Sequence, residues 1–112
     1  FHFEHLISHR VLHGCPEYRI ILGNLLDRLH RSGFISVRSV RCPELNRYSQ
    51  NPIYLSYNDK FIKFFEEGEL GEIISKRGFK IIKNGFFEEL SGRHGKKNVY
   101  EYFVIIKENE NL

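Results

Sequence analysis

Apolar residues recur at helical spacing most clearly near the start of the chain. Ile21, Leu25 and Leu29 repeat every four residues, Leu22 and Leu26 widen the stripe, and Pro16 suits a first turn, which predicts a helix over residues 17–31 stopped by Gly33. Gly23 inside it costs about 1 kcal/mol relative to Ala. Arg19, Arg28 and Arg31 fall off the stripe, free to meet a partner. The period then changes: Phe34, Ser36, Arg38 and Val40 alternate with Ile35, Val37 and Ser39, which predicts a strand over 34–40. Pro43, Asn46, Ser49, Gln50, Asn51 and Pro52 make residues 41–58 a loop. Short helices are expected at 60–66, with Phe61 and Phe64 or Phe65 on one side, and at 69–76, with Gly68, Gly71 and Gly78 as punctuation. Strands at 79–82 and 99–106, joined through a turn at 92–98, complete the pattern, and 108–112 reads as a frayed tail.

These elements describe one small α+β domain: an N-terminal amphipathic helix, a basic loop region, short helices and a C-terminal β-hairpin. Its parts are a helix-bearing segment at 1–37, a basic core at 38–79 and a hairpin extension at 80–112. A chain of 112 residues buries a modest share of its unfolded surface, so a large private cleft is not expected. With 41% hydrophobic residues, ten Phe and six Tyr, it holds enough apolar material for a small core and too much for a disordered segment.

Composition changes this picture in one respect. Ala and Thr are absent, as are Met and Trp. Every Ala and Thr codon has C at its second position, so a C-poor coding strand, as in some organellar genomes, would remove both without a folding reason. Without Met, Phe1 is expected to mark a fragment, a processed end or an unusual start codon. Net charge is only +3, but residues 1–59 carry seven Arg and no Lys against five acids, whereas 60–112 are nearly balanced. Arg suits bidentate phosphate contacts and stacking on bases. Cys15 and Cys42 stand alone, which indicates neither a zinc knuckle nor a disulfide framework. No run approaches the roughly 20 apolar residues of a membrane span, and no signal-peptide pattern is present, so a soluble chain is expected.

Catalytic chemistry finds little support in the residue pattern. His9 and His13 have the four-residue spacing of a metal-binding helix, but no Glu follows His9 and no third ligand is identifiable. Glu66, Glu67, Glu69 and Glu72 read as a charged helix face, and Ser8 and Cys15 lack a placed base. What remains is basic and aromatic: Arg38, Arg41 and Arg47 in or beside the loop, Tyr48, Tyr54 and Tyr57 among them, Lys60 and Lys63 on the next element. Arg-bearing segments that order on RNA, with rings stacking unpaired bases, use these ingredients.

The segment 41–79 resembles the family of ribosomal small-subunit protein fourteen. Arg41-Cys42 matches its Arg-Cys, Arg47 falls where its second Arg belongs, Leu55-Ser56 matches its Leu-Ser with Tyr57 in place of Arg, and Gly68-Glu69-Leu70 with Gly71 matches the next turn without its Pro. Lys76 and Phe79 echo the family's end. Tyr57-Asn58-Asp59-Lys60-Phe61-Ile62 and Leu70-Gly71-Glu72 also echo small-subunit protein nineteen. The resemblance implies a zinc-free structural constituent of a mitochondrial small ribosomal subunit, in the matrix, bound to ribosomal RNA and neighbouring small-subunit proteins. It implies no catalysis, cofactor, membrane or small-molecule substrate. Arg38, Arg41, Arg47, Lys60, Lys63 and Lys76 would contact RNA, and Tyr57 would stack or pack.

Read end to end, the chain is also similar to the C-terminal half of a class I methyltransferase. The matching features are Ser8 to His13 after a strand, the first helix, Ser32-Gly33-Phe34-Ile35-Ser36-Val37, a helix to Arg77, Gly78-Phe79-Lys80-Ile81-Ile82 and a last strand over 102–107. The Gly-rich first loop and acidic ribose-binding residue that would hold S-adenosylmethionine are absent. Such a fragment could not bind the cofactor unaided.

Overall fold

A computed structural model describes residues 2–48, 50–55, 60–91 and 96–108, apart from the side chains of Arg47, Ser91 and Lys96. The chain is α+β. Strand β1 (Phe3–His9) leads through a short 3-10 turn (Leu12–Gly14) into helix α1 (Tyr18–Arg28), which passes directly into strand β2 (Leu29–Arg38). A second 3-10 turn (Pro43–Arg47) and the short strands β3 (Ile53–Leu55) and β4 (Lys60–Ile62) precede helix α2 (Glu69–Lys76). Two long strands, β5 (Phe79–Ser91) and β6 (Lys96–Lys107), end the fold.

The four long strands form one sheet in the order β1-β2-β6-β5. β1 runs parallel to β2, as a crossover through α1 requires, whereas β6 is antiparallel to both neighbours. β6 therefore lies between β2 and β5, and the hairpin belongs to the main sheet.

Alternation along these strands defines two faces. Ile35 and Val37 on β2, with Phe103 and Ile105 opposite Ile35 and Gly33, point toward α1 and α2 and pack with Leu22, Leu26, Leu70, Ile74 and Phe79. Both helices lie on this one face. A second, smaller core of Cys42, Ile53, Ile62 and Phe64 holds the segment between β2 and α2 together. Phe64 and Phe65 are both fully buried, one in each core.

Three expectations are corrected by packing. Residues 60–66 do not form a helix: Phe64 and Phe65 must point to opposite sides, which extended backbone allows, and Phe65 bridges to Ser39. Gly33 does not stop α1 but lies within β2, where a Cβ would come within 3.3 Å of Ile105 Cγ1 and 3.4 Å of Leu6 O. β5 extends well past residue 82, because a bulge between Ile81 and Lys83 takes up Ile82 and pairing with β6 resumes at Lys83 opposite Val104. The expected helix at 69–76 is present, and the turn at 92–98 lies largely outside the described residues.

Candidate functional site

The carboxyl ends of the parallel strands β1 and β2 lie side by side, and His9, Arg10, His13 and Arg38 gather there. The turn that follows β1 is pinned by its backbone. Arg10 takes a left-handed conformation (φ 59°), uncommon for a residue with a side chain, and its N–H donates to both Ser36 O and Ser36 Oγ at 3.1 Å. Ser36 Oγ also shares a hydrogen bond of 2.8 Å with His9 Nδ1. One buried serine thus fixes both residues that leave the strand.

The Arg10 guanidinium pairs with Glu89 on β5 and lies 5.6 Å from the centre of the Tyr100 ring. His13 approaches the same ring at 6.2 Å, and its Nδ1 accepts a bond from the Arg38 N–H at 3.3 Å. Burial first, then the Arg38 and Arg10 charges, pushes the His13 imidazole down to about 4, so it is neutral at pH 7. Because Nδ1 accepts, the proton resides on Nε2. His13 orients and donates there; with so low a pKa it is a poor general base. Arg38 reaches Glu44 at 3.3 Å and lies over Phe64, and its buried Nε has no partner among the described residues.

The other residues expected from the basic pattern are placed differently. Arg41 pairs with Glu67 at 3.2 Å and stacks on Phe86 with its guanidinium carbon 3.7 Å from the ring centre. Lys63 pairs with Glu69 at 3.0 Å, lies near the Tyr18 and Phe65 rings, and is 14% exposed. Glu69 is the hub of this knot: it also accepts from Tyr18 Oη and the Glu66 N–H. Burial alone would raise its carboxyl pKa, but these bonds and the Lys63 charge outweigh burial and lower it. Lys60 opens β4 with an exposed side chain, and Lys76, in the last turn of α2, borders an open groove with Gly71, Glu72, Ser75 and Asn84. Arg47 lies in the second 3-10 turn with its side chain outside the described residues, as is Tyr57 entirely. Arg38 and Lys63 therefore present little of their charge to solvent.

Beside that groove, Glu101 is fully buried on β6, accepting from the Gly68 N–H at 3.3 Å and from Asn84 Nδ2 at 3.2 Å. Burial raises its pKa, with Asn84 and Gly68 opposing. The bonds tie the start of α2 to the sheet. No group of three or more His, Cys, Asp or Glu suited to a metal occurs among the described residues.

The basic pattern had not singled out Arg10, Glu89 and Tyr100. The four-residue spacing of His9 and His13 suggested a helix face, but a strand end and a turn separate them instead. The available signal was the position of residues 8–13 at the end of, and directly after, a strand that opens a strand–helix–strand unit.

The fold has a solved counterpart. A crystal structure of a SAM-dependent methyltransferase from Methanosarcina mazei superimposes with a TM-score of 0.66 at 16% identity, over 98% of this chain and 63% of that one. At this identity the likeness establishes the fold. The chain thus spans less than two thirds of the length of the structure it resembles. No family model matches the sequence. A search of curated proteins likewise finds no match.

Proposed function

We propose that residues 1–112 form the acceptor-side half of an S-adenosylmethionine-dependent methyltransferase, with the cluster at the ends of β1 and β2 facing the methyl acceptor. The observation that carries this is the fold likeness over nearly the whole chain, with its strand order β1-β2-β6-β5. In open α/β sheets ligands bind outside the carboxyl ends of the parallel strands, and His9, Arg10, His13 and Arg38 stand at those ends.

The chain's own residues do not fit the cofactor. The turn between β1 and α1 holds Arg10 in the left-handed position and buries Leu12, where a ribose-cradling loop needs small residues and open backbone amides. S-adenosylmethionine is therefore held by polypeptide outside these residues. Here, Arg10 and Arg38 offer guanidinium groups to an acceptor, each already paired with a carboxylate it can exchange, and neutral His13 offers an Nε2–H.

The test is equilibrium binding of radiolabelled S-adenosylmethionine to the full polypeptide that carries residues 1–112, purified from its source. Saturable binding, together with cosedimentation away from ribosomal subunits, is the expected result. A purified species that binds no S-adenosylmethionine overturns the reading, and salt-dependent sedimentation with small ribosomal subunits would favour the ribosomal alternative.

A further inference from the structure

The groove between α2 and the β5–β6 hairpin holds about 490 Å³, and none of the described residues that line it belongs to the cluster at the ends of β1 and β2. Its floor is apolar, made by Phe103 on β6 and Ile81 on β5. Gly71 brings the helix backbone down onto that floor: a Cβ there would stand 3.2 Å from Ile81 Cδ1 and 3.5 Å from Phe103 Cε1. The space is thus bounded by bare helix backbone on one side and by ring and methyl groups on the other, surfaces that a flat ring meets over more of its area than a branched chain does. Small-molecule sites of roughly 300–1,000 Å³ are built in this way, mostly apolar with a few placed polar groups.

The placed polar group is the Asn84 side chain. Its Nδ2 donates to Tyr102 O at 2.9 Å and to Glu101 Oε2 at 3.2 Å, which commits both of its hydrogens. A backbone carbonyl only accepts, so the amide is held nitrogen-inward and cannot flip. Asn84 Oδ1 has no partner among the described residues, and it is what Asn84 leaves for a molecule in the groove. Glu101, fully buried, is held in turn by the Gly68 N–H at 3.3 Å, so sheet and helix start fix this acceptor before anything binds. Around it, Glu72 stands on the rim and Glu101 lies behind the amide, against the ammonium of Lys76. That balance favours a hydrogen-bond donor over an anion.

We propose that this groove binds a small molecule built on a flat aromatic ring with a ring N–H. The ring lies against Ile81 and Phe103 beside Gly71, and its N–H donates to Asn84 Oδ1. The assignment stands on the groove alone and does not depend on the methyl-transfer reading.

Titration of the isotope-labelled full polypeptide that carries residues 1–112, followed by nuclear magnetic resonance, tests this with two probes, indole and benzofuran. They share one flat shape, but benzofuran has a ring oxygen, an acceptor, where indole has its N–H. The expected result with indole is saturable shifts of the Asn84 side-chain amide, the Gly71 amide and the Ile81 methyl groups. Benzofuran should bind about tenfold more weakly, because it loses one hydrogen bond and sets two acceptors face to face. This contrast is made in the ligand, so no variant of Asn84 has to fold. Gly71→Ala, which gains helix propensity, sets a methyl group against the floor and should remove most of the indole shifts at the same concentration. Equal binding of the two probes overturns the proposal, as does undiminished indole binding by Gly71→Ala. So does a titration without saturable shifts at Asn84, Gly71 and Ile81, including one whose shifts are confined to His9, His13 and Tyr100, which would assign the ring to the cluster at the strand ends.

Discussion

His13 couples the candidate site to pH through burial. Its pKa falls from the ordinary 6.5 to about 4 on folding, so between those values the unfolded chain binds more protons than the folded one. Stability then rises with pH across that window: the contribution is full above about 6.5 and is lost as pH falls toward 4. Urea midpoints between pH 7 and pH 4 should fall accordingly, and His13→Asn, which keeps an acceptor for the Arg38 N–H, should flatten the fall. Glu101 behaves with the opposite sign. Its raised pKa means the stability it contributes is present below its unfolded pKa and lost as pH rises through the folded one. Glu101→Gln keeps an acceptor without the buried charge and should stay within about 1 kcal/mol of the parent at pH 7, whereas Glu101→Ala strands the Gly68 N–H and Asn84 and should cost about 2 kcal/mol. Denaturant titration of the two variants at one pH checks the contrast.

The elements show what a one-dimensional pattern can reveal. Helix α2 was legible because Glu69 and Glu72 occupy its first turn and Leu70 and Ile74 face the sheet at four-residue spacing, all local facts. Helix α1 was legible in its body, but its end was not. Leu29 continues the helical repeat in sequence, yet the chain turns extended there and buries Leu29 from the strand side. The split of Phe64 and Phe65 between two cores likewise depends on what surrounds them. The basic residues suggested a shared surface because sequence records their charge and not the Glu44, Glu67 and Glu69 that meet Arg38, Arg41 and Lys63. Gly23 in α1 makes a test. A Cβ there would come within 2.7 Å of Arg77 Nη2, the flexible end of a side chain whose ion pair with Asp27 is half exposed and worth at most about 1 kcal/mol. Replacing Gly by Ala in a helix interior gains about 1 kcal/mol. Gly23→Ala should therefore leave stability unchanged or raise it by up to about 1 kcal/mol. In a double-mutant cycle, Arg77→Ala should be milder in that background.

At the scale of the molecule, the two cores divide the described residues into a sheet with its helices and a lobe, built from the described residues between 40 and 64, seated near the carboxyl end of β2. Among the described residues they meet through the Phe65 N–H to Arg38 O at 2.8 Å, the Val40 N–H to Phe65 O at 3.0 Å, the Lys63 N–H to His13 O at 2.9 Å, Cys42 Sγ to Lys97 O at 3.9 Å and the Arg38–Glu44 pair, whereas the two side-chain bonds of Asn51 to the Phe64 backbone lie within the lobe. Neighbouring residues of one type thus report on different units. Phe65 packs edge-on against Tyr18 in the main core, and Phe65→Ala should cost about 3–5 kcal/mol of global stability. Phe64 supports the lobe with Cys42, Ile53 and Ile62, beneath the Arg38 guanidinium. Since Phe64 packs in a core of its own, separate from that of the sheet, Phe64→Ala should open the lobe by local unfolding, with the global midpoint moving by less than about 1 kcal/mol. Amide exchange distinguishes the two: Phe64→Ala should accelerate exchange in β3 and β4 while β2 and β6 keep parental rates, whereas Phe65→Ala should accelerate all of them together. If Phe64→Ala instead lowers protection across β2 and β6 equally, lobe and sheet fold as one cooperative unit. Arg38, whose backbone belongs to the sheet and whose side chain rests on the lobe, would then be positioned by both at once.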